Sequence, residues 1–237
     1  MEDPMIPFNF AYVRQESAES SAIMDEIFRL RFKVYCEEWG FEKPEDFPKC
    51  MESNEFDTTA EHFIIRNTSD DMIVGTARVI CPSGLGYPVL QNCIIQQDTH
   101  DQLLHGCGKT RIGEVSRLAI SKDYRKRIED NSHTGYTSNL PDEIYPEHEK
   151  RRYNFVHEFY KYLLLQSIEM GFTHWYVAMK RGLFVLLKQV GMVYHPIGPE
   201  IDYHGLRTPY LGNLEEIRKG MLKKDPCCFD LTNTLCR

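Results

Sequence analysis

Residues 61–81, EHFIIRNTSDDMIVGTARVIC, contain two apolar runs separated by a short polar segment. The first run, 61–66, and the second, 72–81, are rich in the β-branched and aromatic residues that are typical of strands. Between them, residues 67–71 supply Asn, Ser and Asp, which favour turns. The stretch therefore predicts a β-hairpin of two antiparallel strands.

Outward from this hairpin, the chain alternates between further strand and helix patterns. Ile23, Ile27 and Leu30 recur at helical spacing, while Gly171 and Gly191 follow two later helical patterns where C-caps are expected. The predicted strands cover 8–14, 112–121, 173–179 and 192–195; one predicted helix begins at 20–21, and the others cover 98–104, 152–170 and 181–190. The pattern indicates a chain that contains both strands and helices.

Two longer segments are predicted to be loops. Residues 40–57 are acidic and contain two prolines, which interrupt regular structure. Residues 122–150 are polar and much longer than an ordinary connection, as is typical of a functional insertion or lid. We expect a single domain over residues 1–237, with this polar insertion at about 122–150.

The composition excludes several classes of protein. With 237 residues, 42% hydrophobic and 27% charged, the chain resembles an ordinary globular protein. Its net charge of -7 gives no general footprint for nucleic acid, so no nucleic-acid partner is expected. No apolar run is long enough for a transmembrane segment, and the first residues lack the features of a secretory signal. A cytoplasmic protein is the expectation.

Two motifs resemble functional sites but lack required residues. Residues 108–110, Gly-Lys-Thr, resemble the end of a P-loop, but Leu103 stands where its first glycine belongs. His100, His105 and Cys107 lie close together in sequence, yet their spacing matches no standard metal site. Neither nucleotide hydrolysis nor metal binding is therefore expected.

Five short motifs occur in an order and spacing that match a known superfamily. They are RFKVY at 31–35, WGF at 39–41, ESNEFD at 52–57, GTAR at 75–78 and EVSR at 114–117. Together they resemble the acyl-homoserine-lactone (autoinducer) synthases. Within that superfamily, PYLGNLEEI at 209–217 resembles the exosortase-associated acyltransferases and the N-acyl amino acid synthases.

The resemblance implies a fold and a class of donor. The fold is the GNAT-type three-layer sandwich, an α/β (α+β) architecture whose central mixed, mostly antiparallel sheet has helices on both faces. Two of its strands splay apart beside Glu114 to admit a pantetheine arm. No permanently bound cofactor is implied; the donor is acyl-phosphopantetheine on an acyl carrier protein, or acyl-CoA.

Two departures from the family pattern narrow the reaction. Asn54 replaces the middle acid of the acidic loop, which lowers the local negative potential for a cationic substrate such as S-adenosylmethionine. Residues 124–130 contain no glycine, whereas most GNAT enzymes bind the coenzyme A pyrophosphate on a glycine-rich turn there. The sequence therefore favours an acyl carrier protein as partner and a different amine as acceptor.

An acidic carrier needs a basic landing site on this acidic chain. The basic residues that flank the insertion could supply it: Arg125, Lys126, Arg127, Lys150, Arg151 and Arg152. The alternative is an ordinary solvated basic face beside a surface loop.

The EVSR motif supplies the candidate catalytic residues. Acyl transfer to an amine needs a proton acceptor, and Glu114 is the candidate, with Arg117 beside it. In a regular strand these two side chains would point to opposite faces, so we expect a β-bulge near Val115–Ser116. The alternative is a purely structural ion pair between Glu114 and Arg117.

Further residues are candidates for substrate binding. By resemblance, Arg31 and Arg78 form a polar cluster with the acidic loop, with Glu52 and Asp57 as partners. Such buried pairs can also position a loop without touching substrate. The remaining candidates are Trp39, Phe41 and Ser116. The two aromatic residues line the acyl or acceptor pocket or, alternatively, belong to the core.

Three functions remain open from the sequence. The first is an N-acyltransferase that moves a fatty acyl chain from acyl carrier protein to the amine of an amino acid or related small molecule. The second is an autoinducer synthase that uses S-adenosylmethionine to make an acyl-homoserine lactone. The third is a non-catalytic GNAT-like module that binds an acylated carrier.

Overall fold

The computed structural model describes residues 8–14, 18–108, 110–124, 154–203 and 205–229. Its strands are β1 Phe8–Val13, β2 Ala60–Asn67, β3 Ile73–Ile80, β4 Ile112–Ile120, β5 His174–Met179, β6 His195–Pro196, β7 Ile201–Asp202 and β8 Leu206–Asn213. Its α-helices are α1 Ala18–Phe32, α2 Pro88–Asn92, α3 Gln97–Leu104, α4 Asn154–Glu169, α5 Arg181–Gln189 and α6 Leu214–Lys224. The predicted strands and helices occur in this order, and the structure adds α2, β7, β8 and α6, which the sequence did not predict.

The strands form one mixed sheet in the order β1-β2-β3-β4-β5-β8-β6, with β7 paired to β8. Every described pair is antiparallel except β4 with β5. Ile64 packs against α1, while its neighbours Phe63 and Ile65 pack in the cluster that contains Phe159 of α4. Because successive strand residues point to opposite faces, helices cover both faces of the sheet. The predicted α/β GNAT-type fold class is confirmed.

The predicted hairpin forms the centre of the first half of the sheet. β2 and β3 pair antiparallel, and every residue of β3 is buried. Gly75 lies opposite Ile65, and a Cβ at this glycine would come within 2.6 Å of the Ile65 side chain. Because Gly75 has no side chain, the side chain of Ile65 in β2 can pack directly over the backbone of β3.

The first helix begins earlier than predicted and has an irregular C-terminal end. α1 begins at Ala18, before the predicted start at residues 20–21, and it continues as a π-helix over Lys33–Glu38. Gly40 then turns the chain with a φ of +62°. Residues 40–57, predicted as a loop, contain one 3-10 turn at Pro44–Asp46, and a second, Glu55–Thr59, begins near their end. π-turns often occur at functional sites, and this one leads directly into the acidic loop.

β4 and β5 separate after a short parallel ladder. In the described chain this ladder has three pairs, from Ile112 with His174 to Glu114 with Tyr176. β4 continues to Ile120 and β5 to Met179, so both strands extend beyond their last pair. The sheet therefore opens beside Glu114, as predicted.

A β-bulge interrupts β4 just after this opening. Arg78 pairs with Ser116 and Thr76 with Ala119, so one residue of β3 lies opposite two of β4, Arg117 and Leu118. Arg117 has a φ of +50°, which is uncommon for a residue with a side chain. The sequence predicts the bulge one or two residues too early, near Val115–Ser116.

The C-terminal part departs most from the predictions. The strand predicted over 192–195 is wrong in its bounds, because only His195–Pro196 pairs with the sheet. β8, which carries most of the PYLGNLEEI motif, was not predicted, although it pairs with the whole of β5. Its last residue, Asn213, caps α6, because its side-chain Oδ1 accepts hydrogen bonds from the backbone N–H groups of residues 215 and 216. The proline in β8 and the short apolar runs obscure the strand pattern.

Most of the predicted insertion, from residue 125 to residue 150, lies outside the described residues. Within the described ranges, no helix combines the length and apolar composition needed to cross a membrane.

Candidate active site

Glu114 lies at the point where β4 and β5 separate. Its side chain is buried, and its Oε2 accepts a hydrogen bond from the backbone N–H of Val89 at 2.8 Å. Burial raises the pKa of this carboxyl to about 7, while the Val89 N–H, Arg78 and Arg117 act in the opposite direction. A carboxyl that gains and loses a proton near neutral pH is suited to general acid–base chemistry.

A buried network of ion pairs lies beside this carboxyl. Arg31, in α1, donates through Nε to Glu52 and through Nη1 to Asp57 at 2.7 Å. Asp57 in turn accepts from Nη1 of Arg78 at 2.7 Å. Burial alone would raise the pKa of Asp57, but Arg31 and Arg78 hold it well below its ordinary value. The structure thus brings together the four charged residues that the sequence grouped.

Asn54 and Ser116 extend this network toward the strand. The Oδ1 of Asn54 accepts from Nη1 of Arg78 at 2.7 Å and also from the backbone N–H of Phe56. Nε of Arg78 donates to Oγ of Ser116 at 3.1 Å. Asn54 therefore caps the 3-10 turn and binds Arg78, so the amide at this position has a structural use that the sequence did not reveal.

Arg117 is held by two carboxylates other than Glu114. It donates through Nε to Glu52 and through Nη2 to Glu42, both at 3.0 Å. Its guanidinium also lies over the ring of Tyr35, whose hydroxyl donates to the carbonyl of Leu118 at 2.8 Å. The bulge turns Arg117 toward the acidic loop, and the ion pair with Glu114 that we considered as an alternative is replaced by pairs to Glu42 and Glu52.

Two aromatic rings and two cationic side chains lie close together at the mouth of the site. We call this group, which consists of Trp39, Phe41, Lys180 and Arg207, the entrance. Trp39 and Phe41 stack with centroids 5.7 Å apart, and Trp39 is 48% exposed, so it is not a core residue. Nζ of Lys180 lies 5.0 Å from the Phe41 centroid, and Cζ of Arg207 lies 5.8 Å from it. The sequence predicted the aromatic pair but missed both cations, because they come from β5's end and from β8, far along the chain.

Most of these groups surround one cavity of about 920 Å³. Glu114, Ser116, Arg117, Arg78, Trp39 and Phe41 contribute to its lining, together with apolar residues of α4, α5 and β5. Arg31, Glu52 and Asp57 do not line it and act through Arg78 and Arg117. The cavity therefore has a polar end at Glu114 and an apolar end beneath the opened sheet.

The predicted carrier-binding residues, Arg125, Lys126, Arg127, Lys150, Arg151 and Arg152, lie outside the described residues. Within the described part, no group of three or more His, Cys, Asp or Glu side chains is arranged to hold a metal ion.

Comparison with known families places this geometry in context. Residues 30–130 match the family described as "Acetyltransferase (GNAT) domain". This match contains the acidic loop, the hairpin and the EVSR motif. No significant match occurs among curated proteins.

Solved structures resemble the chain over most of its length. The acyl-homoserine-lactone synthase LasI superposes with a TM-score of 0.57 at 19% identity, covering 91% of this chain and 96% of LasI. FeeM, an N-acyl amino acid synthase from uncultured soil microbes, gives 0.53 at 14% identity, covering 92% and 97%. BjaI, a CoA-dependent acyl-homoserine lactone synthase solved with SAM and isopentyl-CoA, gives 0.57 at 13% identity, covering 88% and 82%. These likenesses confirm the fold that the sequence motifs implied.

Proposed function

Because this chain carries a GNAT acyltransferase domain on the fold of the acyl-homoserine-lactone synthases, we propose that it transfers a fatty acyl chain from acyl carrier protein to the amine of an amino acid or related small molecule. The observation that carries the proposal is the position of Glu114. Its carboxyl, with a pKa raised to about 7 by burial, stands where β4 and β5 separate and where the cavity begins.

The reaction needs one base and one electrophile. The neutral amine attacks the thioester carbonyl, a C–N bond forms, and the C–S bond breaks to release the carrier thiolate. Glu114, directly or through a water molecule, takes the proton that the amine loses, and the departing sulfur is protonated to a free thiol. No acyl-enzyme forms, because the amine attacks the thioester directly.

The opened sheet provides a route for the donor. Beyond the last ladder pair, the edge of β4 that faces β5 is no longer bonded to a neighbouring strand in the described chain. A pantetheine arm has amide groups that pair with such an edge, and a backbone N–H there can polarise the thioester carbonyl. The opening therefore accounts for both the entry of the arm and the activation of its carbonyl.

The entrance favours an acceptor that carries a carboxylate. Lys180 and Arg207 line the cavity beside Phe41, and both are cationic. An α-amino acid would place its carboxylate against these cations and its amine toward Glu114. We therefore propose an amino acid as acceptor.

The buried network argues against a cationic acceptor such as S-adenosylmethionine. Three arginines, Arg31, Arg78 and Arg117, pair with three carboxylates, those of Glu42, Glu52 and Asp57. Their formal charges cancel, so the network adds no net negative charge beside the cavity. Asn54, at the middle position of the loop, adds no charge either.

The test is a thiol-release assay with acyl carrier proteins and acyl-CoA of several chain lengths, each combined with a panel of amino acids and with S-adenosylmethionine. Mass spectrometry identifies the product. We expect thiol release that depends on an amino acid and is faster with the carrier than with CoA.

Two outcomes would contradict the proposal. Release that depends on S-adenosylmethionine, with methylthioadenosine as co-product, would make the chain an autoinducer synthase. Tight binding of acylated carrier without thiol release for any amine would make it a non-catalytic module.

A further inference from the structure

Two side-chain amides of α2 have oxygen atoms without a hydrogen-bond donor. Gln91 and Asn92 line the cavity and are exposed. Nε2 of Gln91 donates to the Leu85 carbonyl at 2.7 Å, and Nδ2 of Asn92 donates to the Pro88 carbonyl at 2.8 Å. Within the described chain, no group donates to the oxygen of either amide. We call Gln91 and Asn92 the amide pair.

The two hydrogen bonds fix which end of each amide is the oxygen. A backbone carbonyl can only accept, so the atom of each amide that lies against it must be the nitrogen. Both N–H₂ groups are thus held by the backbone of the same segment. The amide pair therefore offers two hydrogen-bond acceptors to a molecule in the cavity.

The amide pair lies close to the candidate base. The backbone N–H of Val89 donates to the Glu114 carboxyl at 2.8 Å. Asn92 follows Val89 by three residues in α2, a rise of about 4.5 Å along the helix, and residues at this spacing are neighbours on one helix surface. An amine that reaches Glu114 therefore has the amide pair within the length of an amino-acid side chain.

The wall around the amide pair is uncharged. Residues 82–97, which include α2, contain no Asp, Glu, Lys or Arg. Tyr203 also lines the cavity, and burial raises the pKa of its hydroxyl, so this side chain stays neutral. A charged group placed against this wall would lose water without gaining a counter-charge. The wall therefore suits a neutral group that donates hydrogen bonds.

An α-amino acid carries three groups on one carbon, and each can be recognised separately. In the proposed function its carboxylate lies against Lys180 and Arg207, and its amine points toward Glu114. The side chain is then the group that is left to contact the amide pair. Two acceptor oxygens match the two N–H bonds of a carboxamide, whereas a hydroxyl supplies only one donor.

We propose that the acceptor is an amino acid with a side-chain carboxamide, glutamine or asparagine, and that the amide pair selects it by accepting its N–H groups. The inference rests on the proposed function, because it names the acceptor of that reaction. It also makes Gln91 and Asn92 specificity-determining residues, which the sequence did not single out.

The first test compares acceptors of similar shape in the thiol-release assay. Glutamine is compared with methionine and glutamate, and asparagine with leucine and aspartate. These partners keep the size of the side chain but lack the N–H donors. We expect kcat/KM for one carboxamide to exceed that for both of its partners by about tenfold or more, because a side chain without donors leaves the amide pair unpaired when it displaces water.

Substitution of the amide pair then tests the contact itself. Asn92→Leu and Gln91→Met keep the size of each side chain but remove its oxygen. Each should lower the preference for the carboxamide over the apolar acceptor, and the double variant should bring it close to unity. This preference is a ratio within one variant, so a general loss of activity or stability cancels.

The matched control is Gln96→Met. Gln96 is an exposed amide on the same uncharged segment, outside the cavity lining. Its substitution should leave the preference unchanged. Calorimetric titration with the N-dodecanoyl derivatives of the same amino acids measures the preference without turnover.

The outcomes separate this inference from the proposed function. Equal kcat/KM for carboxamide and apolar acceptors, or a preference that survives the double variant, would overturn the inference while leaving the transferase reaction intact. Absence of thiol release with every amino acid, together with tighter binding of an N-dodecanoyl carboxamide that the double variant abolishes, would overturn the proposed function but support the amide pair as a subsite. Absence of both release and preference would overturn both.

Discussion

Burial makes ionisation of Glu114 unfavourable and raises its pKa to about 7. The carboxylate can therefore accept a proton near neutral pH, as a catalytic base must. Glu114→Gln keeps the size of the side chain and can still accept from the Val89 N–H, but it cannot take a proton. We expect kcat to fall by about 10²- to 10⁴-fold with little change in KM for the acyl donor. Steady-state thiol release measures both parameters.

The control is Glu61→Gln, another buried strand glutamate, which pairs with Arg14 away from the cavity. It should change kcat by less than about threefold, because it touches no reacting group. In the unaltered protein kcat should rise with pH through about 7, as Glu114 loses its proton. A Glu114→Gln enzyme that keeps its activity would remove Glu114 as the base.

The same raised pKa makes a prediction about stability. Burial moves the pKa of Glu114 from 4.5 to about 7, so on raising the pH the unfolded chain ionises this group before the folded one. The group's favourable contribution is complete below 4.5 and is lost as the pH passes 7. Relative to Glu114→Gln, the unaltered protein should lose up to about 3 kcal/mol of unfolding free energy between pH 4.5 and pH 8. Urea unfolding of both proteins measures this; parallel curves would contradict the raised pKa.

Residue identities were predictable where charge and motif coincide. Arg31, Glu52, Asp57 and Arg78 could be grouped from sequence, and they form one network. Glu42 could not be added from the sequence, because it pairs with Arg117 only after the bulge has turned the Arg117 side chain toward it. The same holds for Asn54 and for the cations at the entrance, whose contacts join residues distant in sequence.

The bulge in β4 is fixed by a hydroxyl from α1's π-helical extension. The Tyr35 hydroxyl donates to the Leu118 carbonyl, beside the residue that has a positive φ. Tyr35→Phe should lower the unfolding free energy by about 1 kcal/mol and, by loosening the bulge, lower kcat by about tenfold. Chemical unfolding and thiol release measure the two effects.

Tyr87→Phe is the matched control, since the Tyr87 hydroxyl donates to the Ile112 carbonyl at the start of the same strand. Tyr87→Phe should lower the unfolding free energy by a similar amount. Its kcat should stay nearly unchanged, because the substitution does not alter the bulge. Equal effects of both substitutions on kcat would contradict a specific role for the bulge.

Helix α6 packs on the turn after α5 through two glycines. A Cβ on Gly220 would lie 2.1 Å from the carbonyl oxygen of Gly191, whereas a Cβ on Gly182, in α5, meets nothing within 4 Å. Gly220→Ala should therefore destabilise the protein by about 2 kcal/mol or more, despite the better helix propensity of alanine. Gly182→Ala should be neutral or stabilise by up to about 1 kcal/mol. Thermal unfolding distinguishes the two; equal shifts would contradict the close packing.

Elements with a strong local period were predictable, and those defined by their neighbours were not. The hairpin, α4, β5 and α5 have clear periodicity, and their observed bounds differ from the predicted ones by about two residues or less. β8 has a proline and a glycine within its eight residues, and it is a strand because β5 offers a long edge to pair with. Tertiary pairing of this kind has no local signature.

At the scale of the whole molecule, charge decides how an acidic carrier approaches. The chain has a net charge of -7, so an acidic carrier is repelled unless a local basic surface outweighs that field. The basic residues that flank the insertion are the candidates. Their contribution should weaken with salt, because exposed charges are screened within about 10 Å at ordinary ionic strength.

The last prediction concerns this basic surface and uses charge reversal. Arg125→Glu with Arg127→Glu should raise KM for acyl carrier protein by about tenfold or more at low salt, and this effect should shrink as salt is added. Reversal of Lys219 and Lys223, which are exposed on α6, changes the net charge by the same amount and should alter KM far less. Neither double variant should affect turnover of acyl-pantetheine, because this donor lacks the acidic protein surface that would contact the altered residues. If both pairs raise KM for the carrier equally, long-range repulsion alone explains the effect, and the carrier docks elsewhere on the molecule.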